Sequence, residues 1–344
     1  MQVLTVNENE AGQRLDKLLS KYLNLAPKSF LYKMMRKKNI TLNGKRCEGS
    51  EKLQLFDQIT LFLSDETIDK FSEATFRAQQ EPNPSQSGCH NGNVVQGSPL
   101  KLDIIYEDEH ILVINKPVGI LSQKSKESDY SLVEQVINYL IESRRIPIEQ
   151  LRTFRPSVCN RLDRNTSGLV IAGKSLAGLQ IMSEALKDRS IHKYYQCIVA
   201  GELSQKQVIA GFLKKEEPRN QVTIHQREVK GSVPIMTEYV PLASNESYTL
   251  LRVTLITGRT HQIRAHLSSI GHPIVGDYKY GLESVNKVAK QKYGIRSQLL
   301  HSWKLVMPKL PKPLEYLSGT QFTAPLPEGF RRVIKAEGLK ITNT

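Results

Sequence analysis

The residues best able to do chemistry lie in Arg161-Leu162-Asp163-Arg164-Asn165-Thr166-Ser167-Gly168, which runs straight into the apolar Leu169-Val170-Ile171-Ala172. Asp is depleted in strands, and an unpaired charge is costly to bury. Asp163 is therefore either a member of a structural ion pair or a carboxylate held ionised in a basic pocket to act on a substrate. A second stretch, Thr257-Gly258-Arg259-Thr260-His261-Gln262-Ile263-Arg264, joins a strand end to a helix start. It sets two arginines and a histidine along a basic lip, suited to a phosphate or a carboxylate. A structural role for one of these arginines is ordinary, but it accounts less well for the whole lip.

The elements that must position these groups are legible from periodicity. Leu102 to Tyr106 and Ile111 to Lys116 read as strands around a Glu107–His110 turn, with Pro117 and Gly119 closing the second. Leu132 to Ile141 and Leu176 to Lys187 read as helices, and Leu169 to Ala172 as a strand. Lys193 to Gly201 alternates through Tyr195, Cys197 and Val199; Val222 to Val240 and Tyr248 to Ile256 add further strands. Thr260 to Ser269 is a helix stopped by Gly271, with His261, Arg264 and Ser268 sharing the face opposite its apolar stripe. Leu299 to Trp303 reads as a late core segment. Strands outnumber helices without alternating with them, so the expected fold class is α+β with a mainly antiparallel sheet.

The chain is 344 residues long, enough for two or three domains. Its net charge of +14 implies a polyanionic partner, most commonly nucleic acid. No apolar run is long enough to span a membrane, and the N-terminus does not read as a secretory signal. Four scattered cysteines without a CxxC pair argue against a zinc knuckle or a disulfide framework and suit a reducing cytoplasm. There is no HExxH, Walker A or GxGxxG motif, so no metal, nucleotide or other cofactor is expected. A cytoplasmic monomer without a membrane partner is the expectation.

Charge is concentrated near the N-terminus. Helices are expected over Gln13 to Lys21 and Ser29 to Lys38, followed by the strand Ile40-Thr41-Leu42 and an Asn43-Gly44 hairpin turn. Leu53, Leu55, Ile59, Leu61 and Leu63 complete a small sheet around the Phe56-Asp57-Gln58 turn. Between Arg14 and Arg46 lie ten basic residues and one acid, nine of the fourteen net charges. Lys33, Arg36, Lys37, Lys38, Lys45 and Arg46 are the candidate RNA-phosphate contacts. From Asp65 the chain turns polar and reads as a linker up to residue 99.

RLDKLL, SFLYKMMRKKNITLNGKR and the strand pair that follows resemble the S4 RNA-binding domain. RLDRNTSG, then HKYYQCIVAG, then LITGRTHQIRAH with GHPIVGDYKYG, resemble the pseudouridine synthases of the RluA type, in the branch acting on large-subunit ribosomal RNA. The resemblance implies an S4-like domain over 1–64, a linker over 65–99, a catalytic domain of the pseudouridine synthase fold over 100–334 and a tail over 335–344. It places Asp163 on the family's catalytic aspartate, Tyr195 on its motif tyrosine, and Arg264 on the arginine that pairs with the aspartate. Arg161 falls on an arginine that can fill the space left by a flipped base, and Arg164, Arg259 and His261 are further candidate substrate contacts. Asn160 stands where the family commonly has His. The implied chemistry breaks the N1–C1′ bond of uridine, turns the base and joins C5 to C1′, with a base helping to remove the C5 proton. Rival readings are a non-catalytic RNA-binding or ribosome-assembly protein, the same isomerase acting on tRNA, and a glycoside hydrolase with Asp277 as the second carboxylate.

Overall fold

The computed structural model describes residues 1–72, 101–126, 128–216 and 221–339. They fall into two compact units. The first takes Met1–Lys101, Gln135–Ser157 and Lys174–Ala177; the second takes Leu102–Glu134, Val158–Gly173 and Gly178–Thr344.

The first unit contains β1 (Gln2–Thr5), α1 (Leu15–Tyr22), α2 (Lys28–Arg36), β2 (Ile40–Leu42), β3 (Lys45–Arg46), β4 (Gln58–Leu61) and α3 (Asp65–Lys70). Its sheet runs β1-β4-β2-β3, antiparallel throughout. Leu15, Leu18, Leu19 and Tyr22 form one stripe of α1 and are buried with Leu31, Met34 and Met35 of α2 against Ile40, Ile59 and Leu61. Asn43 and Gly44 both take positive φ, 50° and 72°, as the tightest hairpin turns require. Two expectations are corrected. Leu55 is exposed rather than part of the sheet. Residues 65–70 of the expected linker are helical: Ser64 caps α3 by accepting from the Thr67 amide, the acids Asp65 and Glu66 suit the helix N-terminus, and Ile68 is buried. The rest of the expected linker lies outside the described residues from position 73 onwards.

The second unit contains β5 (Ile104–Glu107) and β6 (Ile111–Lys116), then the start of α4 (Leu132–Glu142), which continues in the first unit. After β7 (Ser157–Val158) come β8 (Ser167–Gly173), α5 (Leu176–Lys187), β9 (His192–Ala200), β10 (Gln207–Glu216), β11 (Gln221–His225), β12 (Ser232–Ser244) and β13 (Tyr248–Leu255). The chain ends with α6 (Gln262–Ser269), α7 (Glu283–Tyr293), β14 (Leu300–Val306), β15 (Gln321–Thr323) and α8 (Glu328–Ala336). Eleven strands form one sheet, in the order β11-β10-β12-β13-β9-β14-β8-β6-β5, with β15 on β14 and β7 on β8. Among the named strand pairs of the described residues only β14 and β8 run parallel, so the class is the expected mixed one with a mostly antiparallel sheet. All seven residues of β8 are buried between β6 and β14, which is why the strand reads as an unbroken apolar run. Ile111, Val113, Leu169 and Ile171 share one core with Met182 of α5; Ile198 and Leu250 share another with Tyr293 of α7 and Phe330 of α8.

The sequence pattern had not singled out β10, α7 or α8, and had read β14 only as core. Helix α7 is largely polar, with only Asn286, Ala289 and Tyr293 buried, so its apolar stripe is too thin to show. The tail expected from residue 335 begins inside α8, and Leu339 beyond it is buried.

Candidate active site

The loop before β8 is pinned by its backbone. Leu162 donates to the Ser122 hydroxyl at 3.0 Å, and that hydroxyl donates to the Leu162 carbonyl at 2.9 Å. The Thr166 amide donates to the Asp163 carbonyl at 3.0 Å, closing a tight turn. Gly168 then takes φ +109°, and a Cβ there would stand 2.2 Å from the Ser302 carbonyl oxygen of β14. Only glycine meets both conditions. Asn160 braces the same strand: its side-chain amide donates to the Leu169 carbonyl at 3.2 Å and accepts from the Ile171 amide at 2.8 Å.

The pinned turn brings Asp163 to α6. Arg264 Nη1 donates to Asp163 Oδ2 at 2.8 Å. The other edge of the guanidinium is taken by Asp277, with Nε at 2.6 Å from Oδ2 and Nη2 at 2.9 Å from Oδ1. Asp277 is completely buried, whereas the Asp163 side chain remains 26% exposed. Burial works against the charge on Arg264, but its bonds to both carboxylates outweigh that and raise it above its ordinary pKa. Burial would likewise raise Asp277, yet Arg264 and the Lys279 and Tyr280 amides hold it below the usual carboxylate value. Asp277 is thus a fixed anion and cannot act as the proton-donating acid of a glycoside hydrolase.

His261 opens α6 in the left-handed region at φ 56°, an uncommon conformation for a non-glycine residue. Its Nε2 lies 3.7 Å from Asp163 Oδ2, too far for a hydrogen bond. Its Nδ1 lies 2.9 Å from the Tyr280 hydroxyl, which accepts from the Val222 amide and has its own hydrogen to give. Burial lowers the His261 pKa despite the nearby Asp163 charge, so the imidazole is neutral at pH 7. Tyr195 of β9 stands opposite Ser302 of β14 and is hydrogen-bonded to its side chain. Burial foremost, with the Asp163 charge adding, pushes its phenol up to about 12 despite the Ser302 bond. The unit thus sets an ionic trio, a neutral imidazole and a protonated phenol around one partly open carboxylate.

Residues 110–269 match the RNA pseudouridylate synthase family. The chain is 30% identical over 343 residues to the ribosomal large subunit pseudouridine synthase C of Pasteurella multocida, covering 98% of this chain and 94% of that one. It is 31% identical over 341 residues to the protein of the same name from Buchnera aphidicola subsp. Baizongia pistaciae, covering 96% of each. The chain belongs to the RNA pseudouridylate synthase family. It is an isomerase that forms pseudouridine. The structure titled human RNA pseudouridylate synthase domain containing 4 shares its fold, with a TM-score of 0.56 and 22% identity over 70% of this chain and 94% of that one.

The synthase's remaining candidate residues are distributed unevenly. Arg161, Arg164 and Arg259 are exposed. Arg164 Nε donates to the Gly119 carbonyl at 3.2 Å, while the Gly119 amide donates to the Arg164 carbonyl at 2.9 Å. Sequence reasoning had missed Lys116. Fully buried at the end of β6, its ammonium donates to the carbonyls of Pro117, Ile120 and Arg164 at 2.9, 2.9 and 3.2 Å. Burial lowers its pKa to about 8, and the Asp163 charge pulls the other way. A lysine closing an apolar strand directly before Pro-Val-Gly was the available signal. Asp277 had been considered only as a loose carboxylate, and its pairing with Arg264 was not visible.

In the first unit Lys33, Arg36, Lys37, Lys38, Lys45 and Arg46 are all exposed. Lys33 and Arg36 lie in the last turn of α2, where cations suit the helix dipole, and Lys38 follows at φ 58°. Arg36 and Arg46 both line a cleft of about 440 Å³, with Tyr32, Met35, Cys47 and Glu48. No helix among the described residues is long and apolar enough to cross a membrane.

Proposed function

We propose that this pseudouridine synthase acts on uridines of large-subunit ribosomal RNA, with Asp163 as its catalytic carboxylate. The observation that carries the reading is the Asp163–Arg264 bond of 2.8 Å, with Arg264 held from behind by the buried Asp277. A carboxylate so anchored is aimed rather than free to rotate, and partial exposure leaves it reachable. As the N1–C1′ bond breaks, positive charge grows on the sugar, and a fixed anion at C1′ stabilises it by electrostatics or by bonding. The uracil turns over, C5 bonds to C1′, and the C5 proton passes to a base. Because its hydroxyl stays protonated at neutral pH, Tyr195 serves as a ring surface and hydrogen-bonding group for the uracil rather than as a standing phenolate.

The target base must leave its stack before the sugar can reach Asp163, at a cost of a few kcal/mol. Arg161, exposed two residues before Asp163, is positioned in sequence to enter the vacated space, and Arg164, Arg259 and His261 supply further polar contacts. The basic first unit, read as S4-like over residues 1–64, supplies phosphate contacts through Lys33, Arg36, Lys37, Lys38, Lys45 and Arg46. The names of the relatives support ribosomal RNA as the substrate.

The test maps pseudouridine in ribosomal and transfer RNA from cells carrying the wild-type protein, Asp163→Asn or no protein. We expect sites in large-subunit ribosomal RNA that vanish equally in the variant and the null. Sites retained by Asp163→Asn would overturn the catalytic assignment, and sites confined to tRNA would overturn the substrate.

A further inference from the structure

Six described non-glycine residues take positive φ, and Phe56 at +70° is the only apolar one among them. A bulky aromatic in the left-handed region is a conformational outlier. It occupies the third position of the Gln54–Asp57 turn, which is closed by the Asp57 amide on the Gln54 carbonyl at 3.1 Å. A positive φ at that position calls for Gly or Asn. The surroundings hold the strained geometry firmly. The Phe56 amide donates to the Val6 carbonyl at 2.8 Å, and the Asp57 carboxylate accepts from the Gln54 amide at 2.7 Å and from Asn43 Nδ2 at 2.8 Å. Yet the side chain itself is 74% exposed and belongs to no hydrophobic cluster or ring pair among the described residues. The fold therefore bears the strain without using the ring.

The turn lies at the same end of the sheet as the basic hairpin. The Asn43 side chain bonds Asp57 and the Gln58 amide, and the Asn43 amide donates to the Gln58 carbonyl, so the two turns are laced together. Leu42 pairs with Ile59 on one side and with Lys45 on the other, which sets Lys45 about two strand spacings, ~10 Å, from Ile59. Lys45 and Arg46 are both exposed. An exposed aromatic beside cations is the combination that binds single-stranded nucleic acid: the ring takes a base face and the cations take the backbone. The Asp57 charge is adjacent, but both its oxygens are occupied by turn hydrogen bonds.

We infer that Phe56 is a base-stacking platform, presented by the Gln54–Asp57 turn to an unpaired base of the RNA whose backbone runs over Lys45 and Arg46. The inference rests on the reading of the first unit as RNA-binding and adds a contact through a base face rather than a phosphate. Stacking is sequence-tolerant, so the platform would grip a single-stranded stretch without selecting its sequence.

The test uses the full chain with Phe56→Gly, Phe56→Trp and the double variant Lys45→Ala/Arg46→Ala, titrated with a single-stranded oligouridine of about twelve nucleotides. Phe56→Gly should keep or raise thermal stability, because glycine accepts the turn, while weakening RNA binding about ten-fold with an unchanged salt slope. Phe56→Trp should bind as wild type and gain a fluorescence signal that RNA quenches. The double variant should lower the salt slope by about two. Loss of stability in Phe56→Gly with RNA affinity intact would overturn the inference, since the ring would then be packed against the chain itself. Unchanged binding in Phe56→Gly beside a reduced slope in the double variant would overturn stacking alone. No response in either would remove the RNA-binding reading of this surface as well.

Discussion

Asp277 holds Arg264 by two hydrogen bonds, at 2.6 and 2.9 Å, and so leaves Nη1 to meet Asp163. The carboxylate that faces solvent is thus positioned by one that does not. Replacing Asp277 with Ala leaves a buried guanidinium short of its main partner. We expect a loss of roughly 3–5 kcal/mol in stability by denaturant unfolding. Activity should fall further than the residual folded fraction explains, because Asp163 loses its anchor. A folded Asp277→Ala protein with wild-type turnover would contradict the positioning role.

Gly168 is the point of closest approach between β8 and β14. Gly168→Ala combines an unfavourable φ of +109° with a Cβ 2.2 Å from the Ser302 carbonyl oxygen, so the strands must separate. Gly231, at φ +83°, has open space around its missing Cβ. Gly231→Ala should cost about 1 kcal/mol from backbone conformation alone. Gly168→Ala should cost at least about 3 kcal/mol. Parallel urea titrations of the two variants measure the difference.

Lys116 ties the Pro117–Ile120 turn to the Arg164 carbonyl beside Asp163. Lys116→Met removes three hydrogen bonds but also removes the cost of burying an ammonium. Stability should therefore change by less than about 2 kcal/mol. The loop that carries Asp163 should nonetheless loosen, lowering kcat about ten-fold or more with little change in KM. Steady-state kinetics on an RNA substrate, alongside thermal unfolding, separates the two effects.

Acid should destabilise the second unit before its carboxylates titrate. His301 is fully buried, accepting from the Ser167 hydroxyl and bonded to the Ala324 carbonyl; His266 is buried beside the Thr237 hydroxyl. Burial lowers both from an ordinary 6.5 to about 4. Between those values the unfolded chain binds more protons than the folded one, so stability falls as pH drops from 6.5 toward 4. The slope should be up to roughly 1.4 kcal/mol per pH unit for each group. Asp277, depressed in the fold, extends the loss as pH falls through its own folded value. Urea unfolding at several pH values should show a shallower slope for His301→Gln than for wild type.

The sequence by itself determined the types of the main elements, because periodicity survives wherever one face is buried. The α1 stripe, the Asn43-Gly44 hairpin and α5 all lie where the apolar spacing put them. Its motifs also singled out Asp163, Tyr195 and Arg264, since an acid, a phenol and a basic lip stand out against apolar strands. Tertiary structure alone decided which groups touch. Asp163 and Arg264 are 101 residues apart, and no local pattern encodes a contact across that separation. Nor could spacing reveal that Asp277 neutralises the back of Arg264, or that Lys116 is buried among carbonyls. The polar residues His301 and Ser302 hid β14 as a strand, although they support the site from beneath. Buried polar groups break the apolar periodicity from which elements are read, and their partners are set by strand order, which the three-dimensional packing alone supplies.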